Sequence, residues 1–245
     1  MFNVKRPRAA SAFTLVELLV VVGIIALIIG ILLPALAKAR QSATTAQCLS
    51  NLRNMEMAQL NYVAENNGYL IRVGLGHLIA QEEEVAWINT LRSYYKADLV
   101  HRCPADESPY WTAPEPSTSP PQYRRTSYGV NNWVEAFYSP AEPAYVKITQ
   151  VPRTSEVVHF VELAEQGPYS YGDHTHAEIF YILGNPESPR VLVAEQVQTH
   201  RHGGKVKSWE ARSNFAFLDG HAETLRLRDV YLNPEKNRFD PKAAK

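Results

Sequence analysis

The sequence predicts an α+β fold, in which a long N-terminal helix packs on an antiparallel β-sheet head. Three observations predict it. An apolar run from Phe13 to Leu33 holds Glu17 as its only charge. From Pro34 to Asn66 the chain turns polar, shows no strand signals and keeps its apolar residues at helical spacing. Short β-rich runs separated by turn residues fill much of the C-terminal half.

The 21 residues from Phe13 to Leu33 extend roughly 32 Å as a helix, close to the roughly 30 Å of bilayer hydrocarbon. Whole-chain composition hides this span, because 45% hydrophobic residues and a formal net charge of zero are ordinary values for a soluble protein. A carboxylate inside such a run is costly to desolvate, so Glu17 needs a partner of opposite sign or a proton.

Gly23, Gly30 and Pro34 interrupt the stretch, and Pro34 favours a bend there or marks the first turn of a separate helix. Beyond it, Cys48, Leu49, Leu52, Met55, Leu60, Tyr62 and Val63 fall on one helical arc, broken only by Glu56 and Gln59. Asn51, Asn54 and Asn61 are assigned to the wet face. Asn66-Asn67-Gly68 supplies the stop, with Asn67 or Gly68 able to take a left-handed conformation. The expected object is one helix from about Phe13 to about Glu65, within a segment 13–66.

The head, 67–245, is long enough for one sizeable core. Pro104 through Pro121 reads as a surface loop. Strands are expected at Val157 to Glu162, Glu178 to Leu183, Val191 to Ala194, Asn214 to Leu218 and His221 to Leu227. Asp219-Gly220 sits between two strand-like runs and predicts a two-residue hairpin turn, while Gly203-Gly204 predicts special backbone geometry.

Ala12-Phe13-Thr14-Leu15-Val16-Glu17, behind a leader carrying Lys5, Arg6 and Arg8, resembles the class III signal of type IV pilins and of type II secretion pseudopilins. Gly is usual where Ala12 stands. The resemblance implies a leader of residues 1–12, cleavage between Ala12 and Phe13 by a prepilin peptidase, and methylation of the new amine. It also implies a single-pass protein of the inner membrane with an extracytoplasmic head. Its partners would be other pilin or pseudopilin subunits, the secretion or pilus assembly machinery, and membrane lipid. Pilins also carry a proline near position 34, and their architecture is a helix on a sheet. Cleavage creates a cationic amine on Phe13, and pairing of that amine with Glu17 of a neighbouring subunit would offset the burial of both charges.

Two other readings of the N-terminus remain. Ala35-Leu36-Ala37 looks like an ordinary signal-peptidase site, although the apolar run exceeds a signal-peptide core and Glu17 is out of place in one. An uncleaved anchor is the other. The mature N-terminus would be Phe13, Lys38 or Met1 respectively. Three basic residues before the run against Lys38 and Arg40 after it give weak positive-inside asymmetry. Loss of the leader leaves a net charge near −3, and no nucleic-acid partner is expected.

The rest of the chain resembles bacterial pilin-like proteins whose C-terminal domain is named H-X9-DG. The matching pieces are Cys48-Leu49-Ser50-Asn51-Leu52-Arg53, Cys103-Pro104-Ala105-Asp106, Ser127-Tyr128-Gly129-Val130-Asn131, Arg201-His202-Gly203-Gly204 and Phe217-Leu218-Asp219-Gly220-His221. Here 16 residues separate His202 from Asp219, so Lys207 to Ser213 reads as an inserted hairpin tip.

Cys48 on the packing face and Cys103 in the following loop region are either bridged, worth roughly 3 to 5 kcal/mol, or two buried thiols. His174 with His176, and His200 with His202, are spaced to share a strand face. Asp173, Glu178 or Asp219 would complete a site. Members of the family in general secretion hold calcium in a C-terminal loop, whereas His pairs suggest zinc or another transition metal. No cofactor is otherwise expected. No nucleophile with a spaced base, phosphate-binding glycine loop or metal-ligand helix motif is present, so the chain reads as a non-enzyme. Tyr110, Trp111, Tyr123, Trp133 and Tyr138 around the Pro-rich stretch either pack within that loop, the favoured reading, or offer a surface for a glycan or protein. The expected function is a filament subunit, the alternative a membrane-anchored binding protein that does not polymerise.

Overall fold

The computed structural model describes residues 14–75, 83–95, 101–116, 118, 120–136, 145–181 and 188–244. Helix α1, Leu15–Glu65, runs through Pro34, which therefore does not begin a separate helix. The chain divides into two compact units, Met1–Ala43 and Thr44–Lys245.

In the first unit every described residue from 14 to 43 is exposed, including Leu19, Ile25, Leu27, Ile31 and Leu36. Covering a Val, Leu or Ile side chain gains about 1.5–3 kcal/mol, so this surface requires an apolar environment. Among the described residues α1 is the one helix long and apolar enough to cross a membrane.

In the second unit the remaining turns of α1 dock on a sheet. Cys48, Leu52, Met55 and Ala58 pack with Ile71, Trp87, Tyr128, Val130, Phe160 and Ala216. Asn51 is also buried, contrary to the wet face assigned to it. Its amide donates to the Arg102 carbonyl at 3.1 Å and the Tyr128 hydroxyl at 3.3 Å, and these bonds offset its desolvation. The helix stops as expected, with Asn67 at φ 54°, Gly68 at φ 82° and the Gly68 N–H bonded to the Val63 carbonyl at 2.9 Å.

A four-residue helix α2, Trp87–Thr90, follows, and then five strands form one sheet: β1 Tyr128–Asn131, β2 Val158–Glu162, β3 His174–Thr175, β4 Arg212–Phe217 and β5 Ala222–Arg226. The spatial order is β3-β1-β2-β4-β5. β1, β2, β4 and β5 pair antiparallel, while β3 joins β1 in parallel, so the sheet is mixed rather than wholly antiparallel. Its second face packs Val158, Val161, Phe215 and Phe217 on Phe180, Val193, Tyr231 and Phe239.

Two expected strands are helical over their described residues, with Ile182 and Leu183 lying outside those residues. Residues Ala177–Tyr181 form a 3-10 turn, and Val191 to Ala194 lie in helix α3, Ser188–Gln196. Short apolar runs do not distinguish a buried strand from a buried helix turn, and Pro189 in the first turn favours the helix. A short helix α4, Leu227–Val230, leads into a hairpin of β6, Tyr231–Asn233, and β7, Lys236–Asn237. The Pro-rich stretch is irregular among its described residues, apart from a 3-10 turn at Pro109–Trp111.

The Asp-Gly turn is longer than two residues, since β4 ends at Phe217 and β5 begins at Ala222. Gly220 has φ 102°, and a Cβ there would meet Leu60 at 3.1 Å, so the turn sits close on α1. The excursion after His202 is closed by the Arg212 N–H bonding the Gly203 carbonyl at 2.8 Å, and Ser213 already belongs to β4. Gly204, at φ 81°, leaves no room for a Cβ, which would lie 2.4 Å from the Glu210 carbonyl oxygen.

Cys48 and Cys103 are joined in a disulfide with Cα atoms 5.0 Å apart, closing a separation of 55 residues. For a loop of that size the chain-entropy model gives about 4 kcal/mol. Cys103→Ser should lower head stability by about that amount in urea denaturation, and an unchanged midpoint would contradict it. Gly204→Ala should cost about 1–3 kcal/mol in the same measurement, and a neutral effect would show that the loop yields without strain.

Candidate functional site

The N-terminal end of α1 carries a reciprocal cap. Thr14 precedes the first helical residue, and its Oγ1 accepts the Glu17 N–H at 3.2 Å. The Glu17 carboxylate in turn accepts the Thr14 N–H at 2.9 Å and the Thr14 hydroxyl at 2.8 Å. This is a capping box, and its sequence signal was the Thr-x-x-Glu spacing of Thr14-Leu15-Val16-Glu17. The carboxylate is thus held at the positive end of the helix dipole by its own chain, before any neighbour contributes. Ala12 and Phe13, the cleavage pair, lie outside the described residues, as does the leader.

In the head, α1 is fastened to the sheet by buried charge. Glu162, the last residue of β2, accepts from Ser213 Oγ at 2.6 Å and the Asn214 N–H at 3.1 Å through Oε2, and lies 2.8 Å from His202 Nε2 through Oε1. His202 Nδ1 is 3.0 Å from Thr45 Oγ1 on α1. Arg201 faces Glu162, Asp106 and Glu165 and donates to the Leu163 carbonyl at 3.1 Å. Arg124 donates to Asp106 at 2.8 Å and to the Leu163 and Ala164 carbonyls. Ser127 links Asp106 to the Cys103 N–H.

Burial alone would raise the Glu162 carboxyl, but the His202 bond, the Arg201 charge and the Ser213 hydroxyl hold it below its ordinary value. Burial is likewise outweighed at Asp106 by the Arg201 and Arg124 charges. Arg124 is lowered to about 10 by burial against the pull of Asp106. A second contact to α1 joins Glu56 to His159 Nδ1 at 2.8 Å, both fully buried. A bulge between Val158 and Phe160 lets His159 reach the helix while Phe160 still packs beside Met55. Burial raises the Glu56 carboxyl despite the neighbouring His159.

The histidines of the candidate metal site are only partly brought together. The His174 and His176 rings lie 4.8 Å apart, with Nδ1 atoms at 2.9 Å from Asp173 and 3.2 Å from Glu178. His202 belongs instead to the Glu162 network, and Asp219 engages His221 at 2.5 Å. His200 shapes the turn through its carbonyl, which accepts the Gly203 N–H. A different donor group does converge: one atom each from Cys48, Cys103, Glu162 and His202, all within 4.8 Å of one another and all buried. Of the aromatic residues, Trp133 is in the core, Trp111 lies under the Arg102 guanidinium at 4.5 Å, and Tyr123 is exposed. Tyr138 lies outside the described residues. Trp133, being in the core, does not share an exposed face with Tyr123.

Residues 7–33 match the family model described as the prokaryotic N-terminal methylation motif. The chain is also similar to the Type IV wide pilus major component PilA4 of Thermus thermophilus, at 38% identity over 74 residues. That match covers 28% of this chain and 56% of the relative, so the chain spans about half the length of the curated relative it matches. No solved structure shows a significant match.

The buried carboxyls set an acid limb. Glu162 and Asp106 lie below their ordinary values of 4.5 and 3.8, so near those values the folded head binds fewer protons than the unfolded chain. Their stabilisation is present above those values and lost as pH falls through the folded ones. Glu56 has the opposite sign, its contribution declining as pH rises above 4.5. Glu162→Gln should lower neutral-pH stability by about 1–3 kcal/mol and flatten the acid limb in denaturation curves. A limb of unchanged slope in that variant would contradict the assignment.

Proposed function

We propose that this type IV pilin-like chain is a filament subunit, cut between Ala12 and Phe13 by a prepilin peptidase and assembled through the N-terminal half of α1. The match of residues 7–33 to the methylation motif carries the reading. The capping box supports it, because it fixes the Glu17 carboxylate at the helix entry, where an incoming amine would meet it. The PilA4 similarity favours a type IV pilus-like filament, with a type II secretion pseudopilus as the related assembly. The protein starts in the inner membrane as a single-pass subunit whose head is extracytoplasmic, and the disulfide suits that oxidising side. Its role is structural rather than enzymatic. We read the region from His202 to His221 as the H-X9-DG type, with its glycines serving the turns described above.

Expression beside a prepilin peptidase, with intact-mass analysis and crosslinking, tests this directly. The expected product begins at a methylated Phe13 and crosslinks into multimers, and Glu17→Ala abolishes the multimers while leaving the head folded. A chain recovered with residues 1–12 attached and only as monomers would instead be a plain anchored binding protein.

A further inference from the structure

We propose that the reduced form of the chain holds one zinc ion on Cys48, Cys103, His202 and Glu162. Two sulfurs, an imidazole and a carboxylate are a zinc donor set by type and number. Their ligand atoms already lie within 4.8 Å of one another in a buried position, and a zinc tetrahedron spaces its donors about 3.3–3.8 Å apart. Once the sulfur–sulfur bond opens, the site needs side-chain adjustment rather than refolding.

The backbone anchors of this group are set independently of the disulfide. Cys48 is on α1, Glu162 ends β2, the Cys103 N–H is bonded by Ser127 Oγ at 2.9 Å, and the His202 N–H by the Arg212 carbonyl at 3.0 Å. The outer contacts orient the donors. Thr45 holds His202 Nδ1 and turns Nε2 inward, while Ser213 and Asn214 hold Glu162 Oε2 and leave Oε1 toward the ring. Two thiolates, one carboxylate and a neutral imidazole around zinc carry one net negative charge. Arg201 Nη1, buried and 3.8 Å from Glu162 Oε1, has no hydrogen-bond partner among the described residues and supplies the balancing cation.

Opening the disulfide takes two electrons and two protons from a dithiol reductant, which leaves as its own disulfide. Zinc then displaces the two thiol protons to the buffer as two zinc–sulfur bonds form. A disulfide oxidant reverses the sequence, releasing zinc and restoring the bridge seen here. A newly made chain already carries both thiols and needs no reductant. The site therefore trades one cross-link between α1 and the head for another.

The test uses the full chain in detergent, oxidised or reduced and desalted without air, with zinc or cobalt(II) added. The reduced chain should retain one more equivalent of zinc than the oxidised chain, and cobalt should show a near-ultraviolet thiolate charge-transfer band. His202→Ala should weaken the reduced-state affinity by at least the roughly 10–100-fold that loss of an outer-shell partner costs, since it removes a ligand. Cys48→Ser with Cys103→Ser should abolish the band. Equal zinc in both redox forms, cobalt bound without the band, or a reduced chain that unfolds and is not restored by zinc would each overturn the proposal. Zinc at His174 and His176 would be common to both forms and cancels in the difference. Filament assembly does not enter the result.

Discussion

Exposed apolar surface on the first half of α1 is the constraint around which this protein is organised. From residue 14 to 43 every described side chain is exposed, and most are Val, Leu and Ile. Such a surface is not stable in water, so the segment requires an apolar environment. The single acid in it is restrained from within by Thr14, which satisfies helix-end donors and the carboxylate together.

The second half of the same helix solves a different problem. It is fixed to the head by apolar packing, reinforced by one covalent bond and by polar contacts from Thr45, Asn51 and Glu56. The Thr45–His202 and Glu56–His159 contacts lie about three turns apart along α1, the first reaching the turn that precedes β4 and the second reaching β2. Buried charge is costly unless fully partnered. Here Glu162, Asp106, Arg124 and Arg201 share partners so that each carboxylate faces a guanidinium, and backbone carbonyls accept from both arginines, while Arg201 Nη1 has no hydrogen-bond partner among the described residues. Directional partners of this kind fix register in a way that Leu52 and Met55 alone do not.

The long helix was legible because its signals are local. The apolar run, the Cys48 to Val63 arc and the Asn67-Gly68 stop each read directly from spacing, and Cys48 with Cys103 were the only pair available. β2, β4 and β5 were found within a residue or two from alternation and turns. What failed depends on tertiary context. Val191 to Ala194 has strand composition but closes helix α3 over the sheet, and Asn51 looked wet because its buried partners come from residues 102 and 128. Arg124 and Glu162 gave no site signal, and Arg201 only as a neighbour of His202, since nothing in their neighbours' spacing reveals a network assembled from distant segments. Thr14 was readable as a cap but was obscured by the stronger meaning of Phe13 and Glu17.

The proposed function places residues 14–43 first in lipid and then against other copies of the chain. Single nitroxide labels placed along Val20 to Leu32 measure this directly, by oxygen accessibility in membranes and by spin–spin broadening in sheared filaments. The account predicts an oxygen-accessible, water-shielded profile in the membrane and strong broadening between chains after assembly. A profile open to a water-soluble relaxer in the membrane, or sharp, isolated spectra in every fraction, would contradict it.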